Sequence, residues 1–98
     1  MTNPFAAATE LLVLRLLRDE PKGMYGLELV SASDGRLKRG TVYVTLGRLE
    51  EKGFVQSRVD KGTTHSGLPR PRYTLTALGE RALAAADMMN LNGRLVMP

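Results

Sequence analysis

Residues 40–53 read GTVYVTLGRLEEKG, and the reading of this stretch decides the fold. Val42, Leu46 and Leu49 recur at i, i+4 and i+7, which places them on one face of a helix. Thr41, Val44, Thr45 and Arg48 project mostly elsewhere and are small, hydroxylic or cationic. Glu50 and Glu51 come only at the C-terminal end, and Gly53 suits the left-handed position that closes a helix. Residues 36–48 contain Arg36, Lys38, Arg39 and Arg48 and no acidic residue. A helix whose N-terminal half is basic and rich in hydroxyls suits a phosphate-lined groove. Its free backbone N–H groups and its dipole add to the side-chain contacts there.

The rest of the chain limits what such a helix can belong to. A length of 98 residues supports one domain, with a core too small for two layers and a roomy cavity. There is no cysteine, hence neither a disulfide frame nor a thiolate metal site. The apolar run Leu11 to Leu14 is too short to span a bilayer. No basic region followed by a long apolar segment opens the chain, so no secretion signal is expected and the reading is cytoplasmic. The net charge is +4, but residues 36–48 contribute +4 and residues 58–72 a further +3, leaving −3 for the remainder. Such clustering is the electrostatic footprint of a nucleic-acid binder. The alternative is that these cations only solvate a surface.

Asn3-Pro4 offers a helix start and Thr9-Glu10 a later one. Phe5, Ala8, Leu12 and Leu16 share a face that Leu11, Val13, Leu14 and Leu17 widen. This first helix should stop near Arg18, because Pro21 and Gly23 follow. A second helix is expected from about Tyr25 to Ala32, with Leu27, Leu29 and Val30 apolar and Asp34-Gly35 ending it. The third covers about residues 40–52. The period then changes: residues 54–59 and 72–75 read as short strands. Between them Asp60 to Pro71 holds Gly62, Gly67, Pro69 and Pro71 as breakers, which makes a hairpin with a long loop. Thr76 then caps a final helix with Leu78, Ala82, Ala85 and Met89 on one stripe, and Asn90, Asn92 and Gly93 leave its end unspecified. The predicted class is mainly α with a small β-hairpin (α+β). The predicted architecture is a winged helix-turn-helix of three helices, a two-stranded wing and a C-terminal dimerisation helix. Residues 1–75 form the DNA-binding part and 76–98 the dimerisation helix and tail. The third helix would enter the major groove while the wing lies along the backbone or minor groove.

The runs LLVLRLLRDEPKGMYGLELV, GTVYVTLGRLEEKGFV and PRYTLTALGERAL resemble the PadR family of bacterial transcriptional regulators over about residues 9–83. The most specific parts are the pair Tyr25-Gly26, GTVY followed by RLEEKG, and YTLTALG after the wing. The resemblance implies that Gly40, Thr41 and Tyr43 start the recognition helix. Thr41 and Tyr43 would contact DNA phosphates, and Thr45 and Arg48 would lie near the groove. Tyr25 would approach the backbone on the other side, and Lys61, Arg70 and Arg72 would belong to the wing. PadR proteins commonly continue past the wing into a longer helical region used for dimerisation and sometimes effector binding. Only Thr76 to Pro98 follow the wing here. That disfavours a small-molecule effector and leaves dimerisation to the final helix, with help from the first.

Several residues carry two readings. Tyr43 either contacts phosphate or packs on the second helix, and Arg48 either reaches DNA or pairs with Glu50 or Glu51. Lys38 and Arg39 belong to the basic approach to the third helix, and Val44 suits a thymine methyl. Thr63, Thr64 and Ser66 either donate to phosphates or solvate the loop. His65, the sole histidine, reads as an exposed loop residue; without cysteine or a carboxylate cluster it cannot complete a zinc site, so no metal and no cofactor are expected. Catalysis is not expected either, since no hydroxyl is placed for a triad and no phosphate loop has the required spacing. Leu78, Ala82, Ala85, Met88 and Met89 are candidates for a dimer interface, the methionine pair supplying adaptable packing. The leading expectation is a regulator, most simply a repressor, that binds a palindromic double-stranded DNA operator as a homodimer. The competing class is a winged-helix protein-interaction module, which calls for an apolar patch on the third helix rather than cations beside it. RNA binding is disfavoured by the scarcity of aromatic residues for stacking.

Overall fold

A computed structural model describes residues 8–60 and 70–96. The first helix, α1 (Ala8–Arg18), buries Glu10, Val13, Leu14 and Leu17. This spacing of three and four puts them on one face. The stripe expected to lead, Ala8, Leu12 and Leu16, is instead an exposed to half-buried flank; Phe5 and the Asn3-Pro4 start lie outside the described residues. Six of the seven residues from Leu11 to Leu17 are apolar, so periodicity could not choose between faces. Polar partners made the choice. The Lys52 ammonium donates to Glu10 Oε1 at 2.7 Å, and Arg15 Nη2 to Asp87 Oδ1 at 2.8 Å.

Beyond Arg18 the chain turns tightly, with Glu20 N–H donating to the Leu17 carbonyl and Gly23 N–H to that of Glu20. Gly23 sits at φ +91, and a Cβ there would lie 2.7 Å from the Tyr73 carbonyl oxygen. Only glycine meets both demands. The turn delivers a two-residue strand, β1 (Met24–Tyr25), and then α2 (Gly26–Ala32), one residue later than expected. Tyr25 N–H donates to the Glu28 carboxylate at 2.8 Å, which satisfies one orphan donor at the helix start. After α2 the buried Ser33 hydroxyl donates to the Val30 carbonyl and accepts from Leu37 N–H, which holds Leu37 in the core.

The third helix, α3 (Arg39–Glu51), lies within about a residue of its predicted span. Val42, Leu46 and Leu49 are fully buried, as their spacing requires. Its end is a Schellman motif: Gly53 has φ +80, its N–H donates to the Glu50 carbonyl at 3.0 Å, and Phe54 N–H donates to that of Leu49 at 2.9 Å.

Strands β2 (Val55–Asp60) and β3 (Arg70–Leu75) pair antiparallel from Val55↔Leu75 to Asp60↔Arg70. The expected two-stranded wing is part of a three-stranded sheet of order β1-β3-β2, because Met24 and Tyr25 pair with Tyr73 and Arg72. A strand of two residues has no alternation to read, so sequence could not show it. By register, Val55, Ser57, Tyr73 and Met24 share one face, and Gln56, Arg58, Arg72, Thr74 and Tyr25 the other. The helices cover the first face: Val55 and Tyr73 join the core of α1, α2 and α3, and Ser57 Oγ donates to Glu50 Oε2 of α3 at 2.7 Å.

Thr76 caps the last helix, α4 (Ala77–Val96), as predicted: its hydroxyl accepts from Gly79 N–H at 3.0 Å and donates to the Gly53 carbonyl at 2.6 Å. Asn90, Asn92 and Gly93 do not end it. Among the described side chains of α4, those of Leu83 and Ala86 are buried.

Candidate nucleic-acid interface

Successive α3 residues are about 100° apart, which divides the helix into a buried face centred on Val42, Leu46 and Leu49 and an outer face. Arg39, Gly40, Thr41, Tyr43, Val44, Gly47 and Arg48 are all exposed; Val44 is 56% accessible. Thr45 departs from its expected place near the groove. It lies about 60° from Val42 around the helix, is buried, and donates its hydroxyl to the Thr41 carbonyl at 3.0 Å. Its side chain therefore belongs to the inner flank. Arg48 forms no ion pair with Glu50 or Glu51, and Glu50 is held by Ser57 instead.

The start of α3 is arranged for an anion. Lys38 occupies the N-cap in an extended conformation without a side-chain cap, and the first turn contains no acidic residue. Cations at Lys38 and Arg39 oppose the helix dipole, an arrangement that disfavours the free helix and favours a negative group at its end. The glycines are informative too. A Cβ at Gly40 or at Gly47 would meet nothing within 4 Å. No packing among the described residues requires glycine at either position, although Gly47 weakens an exposed helix interior by about 1 kcal/mol relative to alanine.

The pair Tyr25-Gly26 finds its reason here. A Cβ on the buried Gly26 would lie 2.5–2.7 Å from Cε1, Cζ and the hydroxyl oxygen of Tyr43. The Tyr43 ring thus lies on the first residue of α2, as the packing reading has it, yet stays 48% exposed. Tyr25, in the strand just before, meets the base of the wing. The guanidinium carbons of Arg70 and Arg72 lie 4.3 and 4.4 Å from its ring centroid, within cation–π range. Arg72 also donates to the Tyr25 hydroxyl at 2.8 Å and to the Gly23 carbonyl at 3.4 Å. Four of the predicted residues, Tyr25, Tyr43, Arg70 and Arg72, are therefore gathered around Gly26. Behind them, burial first, then the Glu50 carboxylate and Tyr43, raise the pKa of the Tyr73 phenol above its ordinary value. Lys61, Thr63, Thr64, His65 and Ser66 lie outside the described residues.

Gly26 was missed by sequence reasoning as a positioning residue, although the Tyr-Gly pair marked the place. Arg58 was counted only as charge, because its register opposite Arg72 depends on the pairing of two strands. Among the described residues no three His, Cys, Asp or Glu converge on a metal site, and no helix is long and apolar enough to cross a membrane.

On α4, Leu78, Met88 and Met89 are 46%, 65% and 56% exposed, and Ala82 and Ala85 are half-buried beside them. Asp87 bonds Arg15 and Arg18 of α1, which fixes the direction this apolar surface takes.

Comparison with known proteins agrees with this geometry. The Transcriptional regulator PadR-like family matches residues 13–85. Among solved structures, a PadR family transcription regulator from hypervirulent Clostridium difficile R20291 is 29% identical with a TM-score of 0.77, over 93% of this chain and 95% of that one. A PadR-like transcription factor from Bacteroides fragilis is 25% identical with a TM-score of 0.70, over 89% of this chain and 85% of that one. Bacillus subtilis PadR, solved in complex with operator DNA, is 26% identical with a TM-score of 0.68, over 80% of this chain but 45% of that one. No curated protein matches the chain.

Proposed function

The chain belongs to the PadR-like family of transcriptional regulators, and on that premise we propose that it is a repressor that binds a palindromic double-stranded DNA operator as a homodimer. The observation that carries this reading is the outer face of α3, free of acidic residues from Arg39 to Arg48 and flanked at its start by the Tyr25–Arg70–Arg72 cluster. Lys38, Arg39, Gly40, Thr41 and Tyr43 present cations, hydroxyls and helix N–H groups to phosphates, while Val44 and Arg48 reach base edges. Tyr25, Arg70, Arg72 and the wing residues Lys61, Thr63 and Thr64 follow the backbone. Thr45 serves the fold of α3 rather than readout. The bound Bacillus subtilis relative supports the choice of ligand. A protein-interaction module would need a broad apolar patch on α3, and Val44 and Tyr43 alone do not make one.

The outer side of α4, with Leu78, Ala82, Ala85, Met88 and Met89, supplies the two-fold contact. In this reading residues 1–75 bind DNA and 76–98 associate, within the cytoplasm. Two-fold symmetry would set the recognition helices about one DNA turn, or a multiple, apart.

Selection of bound sequences from a random duplex pool, followed by salt titration of the winner, tests the proposal. The expected result is an inverted repeat whose log affinity falls with log salt by about 0.9 per phosphate neutralised. No enrichment, or an affinity flat in salt, would overturn it.

A further inference from the structure

The outer face of α3 carries glycines that no contact among the described residues explains. At about 100° per residue, Val44 stands about 160° around the helix from the buried Val42, at the middle of that face. Gly40 and Gly47 lie one turn to either side, within about 40° and 60° of its direction. Both are inside the span of α3, and neither has a backbone in the left-handed region. A Cβ at either position would meet nothing within 4 Å. Gly47 is the sharper case, because it lies in the helix interior, where alanine would be the more stable residue. Glycine at such a place lets another molecule come close to the backbone.

The reach of the neighbouring side chains says how close. A helix with its side chains is about 10–12 Å across and the major groove about 12 Å wide. The helix therefore fills the groove, and the side chains on its leading face limit how far it enters. Arg48, exposed about 40° to the other side of Val44 and outside the ion pairs among the described residues, is long enough to reach base edges from a shallow seat. Val44 is not. Its methyls are two bonds from Cα, so they meet a base edge only when the helix backbone itself is seated deeply. A side chain at position 47 would strike the groove first. Glu51 is exposed near the same direction at the far end of α3, while Lys38 and Arg39 stand at its start. Phosphates repel the one end and attract the other, so the helix enters with its N-terminal half deepest.

We infer that Gly47 sets the depth at which α3 enters the major groove, and that this depth lets Val44 read the methyl group of a thymine. The inference rests on the DNA reading proposed above and deepens it: each half-site carries a T·A pair facing the middle of α3. The thymine methyl is the apolar group that the major groove offers, and Val44 is the apolar residue at the centre of the exposed face. Gly47 is a positioning residue that acts through the helix, and Val44 is the residue that determines specificity.

The full chain, titrated with its selected duplex and with a scrambled one, tests this. Gly47→Ala should have opposite effects on fold and recognition. Without DNA its melting midpoint should rise by up to about 4–8 °C. The ratio of selected to scrambled affinity should fall about tenfold, the scale of one lost base contact, and Gly47→Leu should lower it further. Deoxyuridine in place of each thymine of the half-site in turn removes the methyl alone. At one position this should weaken wild type by about fourfold and leave Val44→Ala and Gly47→Ala without further loss. An unchanged affinity ratio in Gly47→Ala, a lower ligand-free midpoint, no thymine whose methyl matters to wild type, or an equal methyl effect in Val44→Ala would each overturn the inference. If wild type selects a duplex and Gly47→Ala binds it equally well, the depth argument alone falls and the proposed function stands. A wild-type chain that enriches no duplex would remove both.

Discussion

Gly26→Ala tests how the Tyr-Gly pair positions the interface. Gly26 is buried at the first position of α2, and its φ is not in the left-handed region, so alanine suits the backbone there. The difficulty is space. The new methyl carbon would lie 2.5–2.7 Å from the end of the Tyr43 ring. Overpacking a rigid neighbour costs about 1–3 kcal/mol, while alanine in place of helical glycine returns up to about 1 kcal/mol. The ring decides which effect wins. It is 48% exposed, and the atoms approached lie at its far end, so it can rotate outward instead of deforming the backbone. Stability should therefore fall by about 1 kcal/mol or less, a midpoint shift of no more than about 4–8 °C for a domain of this size. Duplex affinity should fall as far as in Tyr43→Ala, since in both proteins the hydroxyl leaves its place beside α2. A double-mutant cycle completes the assay: in a Tyr43→Ala background, Gly26→Ala should be neutral or stabilising. If it destabilises that background as much as wild type, or if the single variant binds duplex normally, the positioning argument fails.

Tyr73 gives a pH dependence. Its folded pKa lies above the ordinary 10.0, so below about pH 10 the phenol is neutral in both states and contributes no slope. Above it the unfolded chain ionises first and stability declines with rising pH through the folded pKa; Tyr73→Phe should flatten that decline in alkaline melts, and an unchanged slope would refute the assignment. Lys52→Met should destabilise by about 1–2 kcal/mol in denaturant titration. That is less than the usual cost of breaking a buried pair, because the Lys52 side chain is 39% exposed although Glu10 is only 8% exposed. Adding Glu10→Leu to it should recover most of the loss. Ala85→Glu and Met89→Glu should give folded monomers by sedimentation with weakened operator binding. Unchanged dimers would refute the α4 interface, as would a wild-type chain that is monomeric at micromolar concentration.

What the sequence alone determined about this protein follows from local rules. The α3 face of Val42, Leu46 and Leu49, the Gly53 terminus, the Thr76 cap and the helix-to-strand change near residue 54 were legible because each depends on spacing or backbone chemistry within a few residues. The winged-helix order follows from those elements, as does the family resemblance over most of the chain. Tertiary structure decided the rest. The apolar α1 had no preferred face until Lys52 and Asp87 engaged Glu10, Arg15 and Arg18. β1 exists only because Gly23 lets residues 24–25 reach β3, and without that pairing Tyr25 would not meet Arg70 and Arg72. Thr45 turned inward because it flanks the buried face, where its hydroxyl finds a carbonyl one turn back. Opposition of Arg58 and Arg72 required a strand register set across the wing. Local periodicity specifies which elements form, while contacts between residues far apart in sequence select the face each one buries and the side chains that meet.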